Sequence, residues 1–328
     1  MHPCGCGALT EKALQVTQIL PISAVVPTRD RSPVLTRTLQ SLSLQSAQPL
    51  ELIVVDASTD DTTRKFLSEF QNQVSPNVSV RWVAADVCGA APQRNQGVAL
   101  TTQQFICFFD DDIVFEPDCI RRLWQALQSD SQLGGVNAMV VNQRYQSPGV
   151  VSRTMFTLMH GRWEKSFAGR VIGPAINLLP EDRDDLPEVV PVEWLNLGCT
   201  IYRREALPAA PFDSVFTGYS MMEDVALSLR VGRTWRLANA HTSRIFHDSQ
   251  PGAHKLEARS VARMEVVNRY YVMTEILGQH GALDFLRLWI WQFFQIITVA
   301  ARSSTRAKAW PMFRGQLDGL QSIVSRSK

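Results

Sequence analysis

The chain has 328 residues, 45% of them apolar and 20% charged, enough for one large domain or two small ones. Its 33 basic and 31 acidic residues nearly cancel, to a net charge of +2. That balance argues against a nucleic-acid binder and against an acidic solvating chain, and 18 Gly and 17 Pro exclude collagen-like or low-complexity character.

From the N-terminus, Met1 to Leu20 reads as an extension. It has no basic start followed by an apolar run, so no secretory signal is expected. Cys4 and Cys6 form a Cys-x-Cys pair with no second pair at zinc spacing, and the six cysteines are read as those of a reduced, cytoplasmic protein.

Ser23 to Val26 is a short apolar run stopped by Pro27, read as a buried strand. A loop from Thr28 to Pro33 precedes Val34, Leu35, Leu39 and Leu42, which recur at helical spacing. Leu50 to Val55 is a second strand ending at Asp56, and Asp60 or Asp61 is placed to cap a helix carrying Phe66, Leu67 and Phe70. Val78 to Val83 alternates as a third strand, Gln93 to Leu100 reads as a helix, and Phe105 to Phe109 is a fourth strand stopped by three aspartates. Alternating strands and helices imply an α/β fold with a mostly parallel sheet flanked by helices. Such sheets bind ligands at the carboxyl ends of their strands, where Asp56 and Asp110 to Asp112 fall.

Beyond residue 130 the pattern loosens. Gly134 to Val141 is a strand, and Ser147 to Pro191 is loop-rich, with the acidic run Glu181 to Glu188 read as a solvated loop. Val192 to Tyr202 reads as one further strand and Met222 to Val231 as a helix. Near the end, Leu283 to Ala301 forms a wide apolar face with a narrow stripe at positions 284, 287, 291, 295, 298 and 302, all polar except Trp291. From Arg302 onward six basic residues face a single acid, Asp318. Such a helix and tail suit either an anionic membrane surface or packing against the domain core with a solvated tail.

Several residues are candidates for chemistry. In an extended strand Asp110 and Asp112 share a face and Asp111 points away, so the outer pair can form a hard-oxygen site for Mg²⁺ or Mn²⁺. Asp56 ends a strand, where it can accept hydrogen bonds from a base or ribose. Arg94 opens a helix, where it suits a phosphate or the carboxylates of the metal site, or else is a helix-surface arginine. Glu223 and Asp224 also open a helix, as dipole-stabilising acids or as a general base for a hydroxyl. His247 lies at an apparent strand end, as a third metal ligand, a phosphate contact or a structural histidine.

Taken in order, Ala24 to Arg31, Asp56 to Asp60, Arg94-Asn95, Asp110 to Asp112, Trp194 to Gly198 and Glu223-Asp224 resemble the family 2 inverting glycosyltransferases of the GT-A fold, over about residues 21–250. The resemblance implies a nucleotide-sugar-binding half over 21–130, an acceptor-binding half with the base over 131–250, and a C-terminal helical extension over 251–328. Pro27, Thr28, Arg29, Asp56, Arg94, Asp110 and Asp111 would bind the nucleoside-diphosphate sugar. Asp112, with Asp110 and His247, would hold Mn²⁺ or Mg²⁺. Trp194, Asn196 and Gly198 would line the acceptor side, for a saccharide or lipid-linked acceptor, and Asp224, supported by Glu223, would be the base. The Gln-x-x-Arg-Trp signature of processive synthases is absent, which favours single-sugar transfer at the inner face of the membrane or free of it. Two other enzyme classes fit less well. A nucleotidyltransferase needs a glycine-rich loop where this chain has Pro27-Thr28-Arg29-Asp30, and the lone Gly5-x-Gly7 precedes the first strand, unlike a dehydrogenase fingerprint. A degenerate sugar-nucleotide-binding module is the non-enzyme alternative.

Overall fold

The computed structural model describes residues 17–249 and 258–326, so Cys4 and Cys6 lie outside the described residues. Its centre is a mixed sheet of nine strands flanked by helices, the architecture expected from the alternating pattern. The first half contributes β1 (Gln18–Thr28), α1 (Ser32–Ser43), β2 (Ala47–Asp56), α2 (Thr62–Phe70), β3 (Ser79–Ala84), α3 (Ala90–Ala99), β4 (Phe105–Phe109), β5 (Ile113–Phe115) and α4 (Cys119–Gln128). The second adds β6 (Leu133–Val140), α5 (Val150–His160), the small hairpin β7 (Val171–Ile172) and β8 (Ile176–Asn177), β9 (Val189–Val192), β10 (Cys199–Arg203), α6 (Glu223–Val231) and β11 (Arg236–His247).

The strand order is β3-β2-β1-β4-β10-β6-β11-β5, with β9 beside β11. β1, β2, β3 and β4 run in one direction, as do the paired β6 and β11, while β10, β5 and β9 run against their neighbours. Chain order reverses direction between β1 and β4, the switch point at which sheets of this kind open a crevice. One apolar core, including Leu35, Leu39, Leu123 and Ile201, fills one layer, and a second, with Phe108, Tyr202, Phe212 and Val225, fills another.

Several boundaries differ from expectation for identifiable reasons. β1 starts at Gln18, pairing Gln18 to Leu20 with Ala47 to Pro49, and its register shifts before Ser23, beside the donor-less Pro21. Pro27 does not end the strand: pairing with β4 stops at Val25, so no ladder bond is lost at Pro27 on that side. α3 begins three residues before Gln93. Within the expected loop of residues 147–191, α5 is helical but buries only Met159 of its own residues. The single strand expected over 192–202 is two, β9 and β10, separated by a turn in which Asn196 Oδ1 accepts the Gly198 N–H at 3.2 Å. The acidic run is solvated only in part. The Asp182 side chain is largely covered and gathers His241 (3.2 Å), Arg144 (3.2 Å) and Arg244 (3.0 Å).

After β11 come α7 (Ala258–Tyr271), continued by a wider turn over Val272–Ile276, then α8 (Ala282–Ala301) and α9 (Ala309–Arg326). α9 lies against α7 so closely that a Cβ on Gly315 would sit 2.0 Å from the Arg259 carbonyl. α8 is placed with its polar side inward. Gln292 is buried and accepts from Gln316 Nε2 at 2.9 Å, and Gln295 Nε2 donates to Glu265 at 3.1 Å. Leu283, Leu286, Phe293 and Ile297 point outward. α8 does pack on the rest of the protein, through Leu288, Trp291 and Gln292, as one of the two expectations for this helix has it, but much of its apolar face stays outward.

Candidate active site

The ends of β1 and β4 define the floor of a cleft of about 1020 Å³. Thr28, the last residue of β1, donates its hydroxyl to Asp111 Oδ2 at 2.7 Å, tying the two strand ends together across the switch point. Asp111 sits in the turn between β4 and β5 rather than in an extended strand, and its carbonyl accepts from Thr38 on α1 at 2.7 Å. Burial raises the Asp111 carboxyl to about 7, against the pull of Arg31 and Thr28.

Asp110 and Asp112 fall together with His247, the last residue of β11, their ligand atoms within 4.8 Å of one another. Asp112 Oδ1 faces His247 Nε2 at 3.0 Å, and its Oδ2 accepts from Arg31 at 2.8 Å. Burial alone would raise Asp112, but these two partners outweigh it and hold the carboxyl down to about 2. The other imidazole nitrogen of His247 lies 2.6 Å from the Gln143 side chain, which fixes the ring's orientation.

Arg94 is not a surface arginine. Gly97, one turn on, carries no Cβ because one would meet Val25 at 2.3 Å, and this lets α3 settle on β1 and drives Arg94 into the interior. One arm of its guanidinium binds Asp110 (2.6 Å) and another binds Glu223 (3.0 Å). Glu223 and Asp224 open α6 immediately after Ser220 (φ 56°) and Met222 (φ 72°). Two non-glycine residues in the left-handed region cost about 1–3 kcal/mol each, a strain that aims this pair at the cleft. Burial raises both carboxyls above their ordinary range. For Glu223 the charge of Asp224 adds to this against the pull of Arg94, while for Asp224 the Val225 N–H and Arg94 pull back.

The candidates do not all reach the cleft. Pro27, Thr28, Arg29, Arg94, Asp110, Asp111, Asp112, Glu223, Asp224 and His247 line it. Asp56 does not: its carboxylate accepts from Ser58 N (2.9 Å) and Trp82 Nε1 (3.0 Å) and is buried. Trp194, Asn196 and Gly198 also lie off the cleft wall, with Trp194 buried and donating to Leu178 O at 2.8 Å. They support the site from behind, since Gly198 O accepts the Asp110 N–H at 3.3 Å.

Arg31, which no local pattern marks as a site residue, bridges Asp111 (2.7 Å) and Asp112. The signal was physical: adjacent buried carboxylates need a cation, and Arg31 lies three residues beyond a strand end that abuts them. Glu265, Arg269 and Gln295 close the far end of the cleft from α7 and α8, elements that show no motif. Arg269 binds Glu265 at 2.9 Å and the carbonyl of Ala175 at 2.5 Å.

The mixed, mostly parallel sheet flanked by helices, with a carboxylate–imidazole cluster at its switch point and an acid pair beside it, has the GT-A class of fold. Residues 23–170 match the family model for glycosyl transferase family 2. The chain is 24% identical, over 115 residues, to an uncharacterized glycosyltransferase of Nostoc sp., a match covering 35% of each. It is 24% identical over 253 residues, 71% of this chain and 76% of the other, to the N-acetylglucosaminyl-diphospho-decaprenol L-rhamnosyltransferase of Mycobacterium tuberculosis. The match thus spans about a third of the first relative and three quarters of the second. The fold is shared with a mannosyltransferase from Pyrobaculum calidifontis in complex with GDP-Man and Mn²⁺, with TM-score 0.52 and 11% identity over 92% of this chain and 87% of that one.

Proposed function

We propose that the protein transfers one sugar from a nucleoside-diphosphate sugar to an acceptor hydroxyl with inversion at the anomeric carbon. The observation that carries this reading is the position of Arg94, which joins Asp110 of the metal-type cluster to Glu223 of the acid pair. It brings a diphosphate-binding region and a general base to the two sides of one guanidinium. Asp224, its proton affinity raised by burial, takes the proton of the acceptor hydroxyl as that oxygen attacks the carbon opposite the departing diphosphate. Glu223 is held by Arg94 and supports placement of the acceptor, and a single displacement inverts the configuration.

Two carboxylates and an imidazole, within 4.8 Å, are a donor set suited to Mn²⁺ or Mg²⁺, with Asp110, Asp112 and His247 as the residues that would hold it. Such an ion, when bound, neutralises charge developing on the diphosphate. The relatives include a rhamnosyltransferase named for a diphospho-decaprenol acceptor, which supports a hexose-type donor and a lipid-linked saccharide acceptor in this protein too. Asp182 ties the loop before β9 to β11 through Arg244 and His241.

The test is a thermal-shift screen of UDP, GDP, dTDP and CMP, each with and without Mn²⁺. Stabilisation by one diphosphate only with metal supports the reading and names the donor class. No shift with any of them would favour a degenerate binding module. NMR of the product from the selected donor then reads the anomeric configuration, and retention would overturn inversion.

A further inference from the structure

We propose that α8, together with α9 and the basic segment between them, forms a docking surface for an anionic lipid bilayer and lies along it without crossing it. The first observation is the reversed placement of α8. In a helix packed on a core the apolar stripe faces inward, whereas here the buried positions are Leu288 and Gln292, with Leu283 57% and Phe293 62% exposed. Leu286 and Ile297 complete a stripe at helical spacing on the same outward face. α9 packs beside α8 and repeats the arrangement, with Trp310 66% exposed and Leu317 44%.

The second observation is charge. Arg302, Arg306 and Lys308 follow directly on α8 and are exposed, and among the described residues none of the three forms an ion pair with a carboxylate. The acid of this region, Asp318, is taken by Arg259 at 2.6 Å. An apolar face flanked by uncompensated cations matches the two layers of an anionic membrane surface, hydrocarbon below and phosphate above. A second copy of this chain would bring the same cations against themselves.

The third observation separates lying from spanning. α8, at 20 residues with mean hydropathy 1.2, is long enough to cross a bilayer. Its inner side is nevertheless held by polar bonds to the rest of the protein, Gln292 to Gln316 and Gln295 to Glu265. It also packs Trp291 against Phe156 of α5, with ring centroids 6.2 Å apart. Crossing would break all of these, while lying flat keeps them and covers only the outward face. Because Gln295 also lines the cleft, a membrane beneath α8 would set the far end of the cleft close to the lipid surface.

The experiment is co-sedimentation of the full chain, without donor or metal, with vesicles of phosphatidylcholine alone or mixed with phosphatidylglycerol. Three proteins are compared: the unaltered chain, Phe293→Glu with Ile297→Glu, and Arg302→Glu with Arg306→Glu and Lys308→Glu. All substituted side chains are exposed, so unchanged melting temperature and Mn²⁺-dependent nucleotide shift serve as folding controls. We expect the unaltered chain to bind mixed vesicles at least about tenfold better than neutral ones, and each variant to lose about tenfold or more. Binding that ignores lipid charge, survives either variant or does not occur overturns the proposal, whatever the nucleotide shift reports. Light scattering is the last arm: a dimer that Phe293→Glu with Ile297→Glu converts to monomer would show a second copy on this face and overturn it as well.

Discussion

α4 and α8 are both amphipathic helices, and the fold uses them in opposite senses. α4 buries Ile120, Leu123 and Leu127 against β6 and β11 and leaves Arg122 and Gln125 in water. α8 turns Gln292 and Gln295 to the protein and Phe293 and Ile297 to the outside. A periodic pattern therefore establishes that a helix has two faces, but which face meets the protein depends on what the neighbours offer, here Gln316 and Glu265. The same contrast runs through the molecule. The sheet and α4 hold the chain together, while the cleft and α8 carry exposed or strained chemistry, so substitutions in the two kinds of region should register in different measurements.

The largest expected effect is functional and leaves stability alone. Asp224→Asn should lower transfer by about 10³-fold while the nucleotide-induced thermal shift stays as in the unaltered protein, measured with the donor found in the screen. Near-normal transfer would remove Asp224 as base. Leu123→Ala, on the structural side, should cost about 3 kcal/mol in urea unfolding and leave the ligand response of the folded fraction intact. Asp112→Asn should weaken metal-dependent nucleotide binding by about tenfold or more in a Mn²⁺ titration, and an unchanged titration would take Asp112 out of the metal set. Phe293→Ala, the counterpart of Leu123→Ala on the outward face, should change stability by less than about 0.5 kcal/mol. A core-sized loss there would break the comparison between α4 and α8.

The pH profile follows from the same burial. A base works deprotonated, and burial raises the Asp224 carboxyl. Transfer should therefore fall on the acid side at a pH clearly above the ~4 of an ordinary aspartate. An acid limb at or below that value would show that the titrating group is not buried as described.

Most of the sheet was legible because apolar runs such as Leu50 to Val55 and Phe105 to Phe109 end on carboxylates, a pattern local to a few residues. The face alternation expected of Asp110, Asp111 and Asp112 does not carry over, because the three fall in the turn between β4 and β5 and Arg31 draws Asp111 and Asp112 to one guanidinium. What local pattern did not carry was pairing over long distances: the contact of Arg31 with Asp111 and Asp112, the burial of Arg94 between Asp110 and Glu223, and the capture of Asp182 by β11. Asp56 ends its strand as anticipated, but Trp82 and Ser58, brought to it by β3 and by the turn after β2, occupy its carboxylate. Trp194 reads as a cleft residue from its motif, whereas it is buried and donates its indole N–H to Leu178 O, in the segment that leads into the pairing of β10 with β4.

That pairing has a consequence for how the protein is made. The far edge of β4, Phe-Ile-Cys-Phe-Phe, is matched only by Cys199 to Arg203. A ribosome must therefore finish everything from Phe109 to Arg203 before the strand beside the three aspartates has its second neighbour. Until then the growing chain presents an uncharged, aromatic strand edge of the sort that joins other chains, and closure across so long a loop is slow. A fragment ending near residue 170, where the family match stops, would keep that edge open permanently and should aggregate when expressed alone.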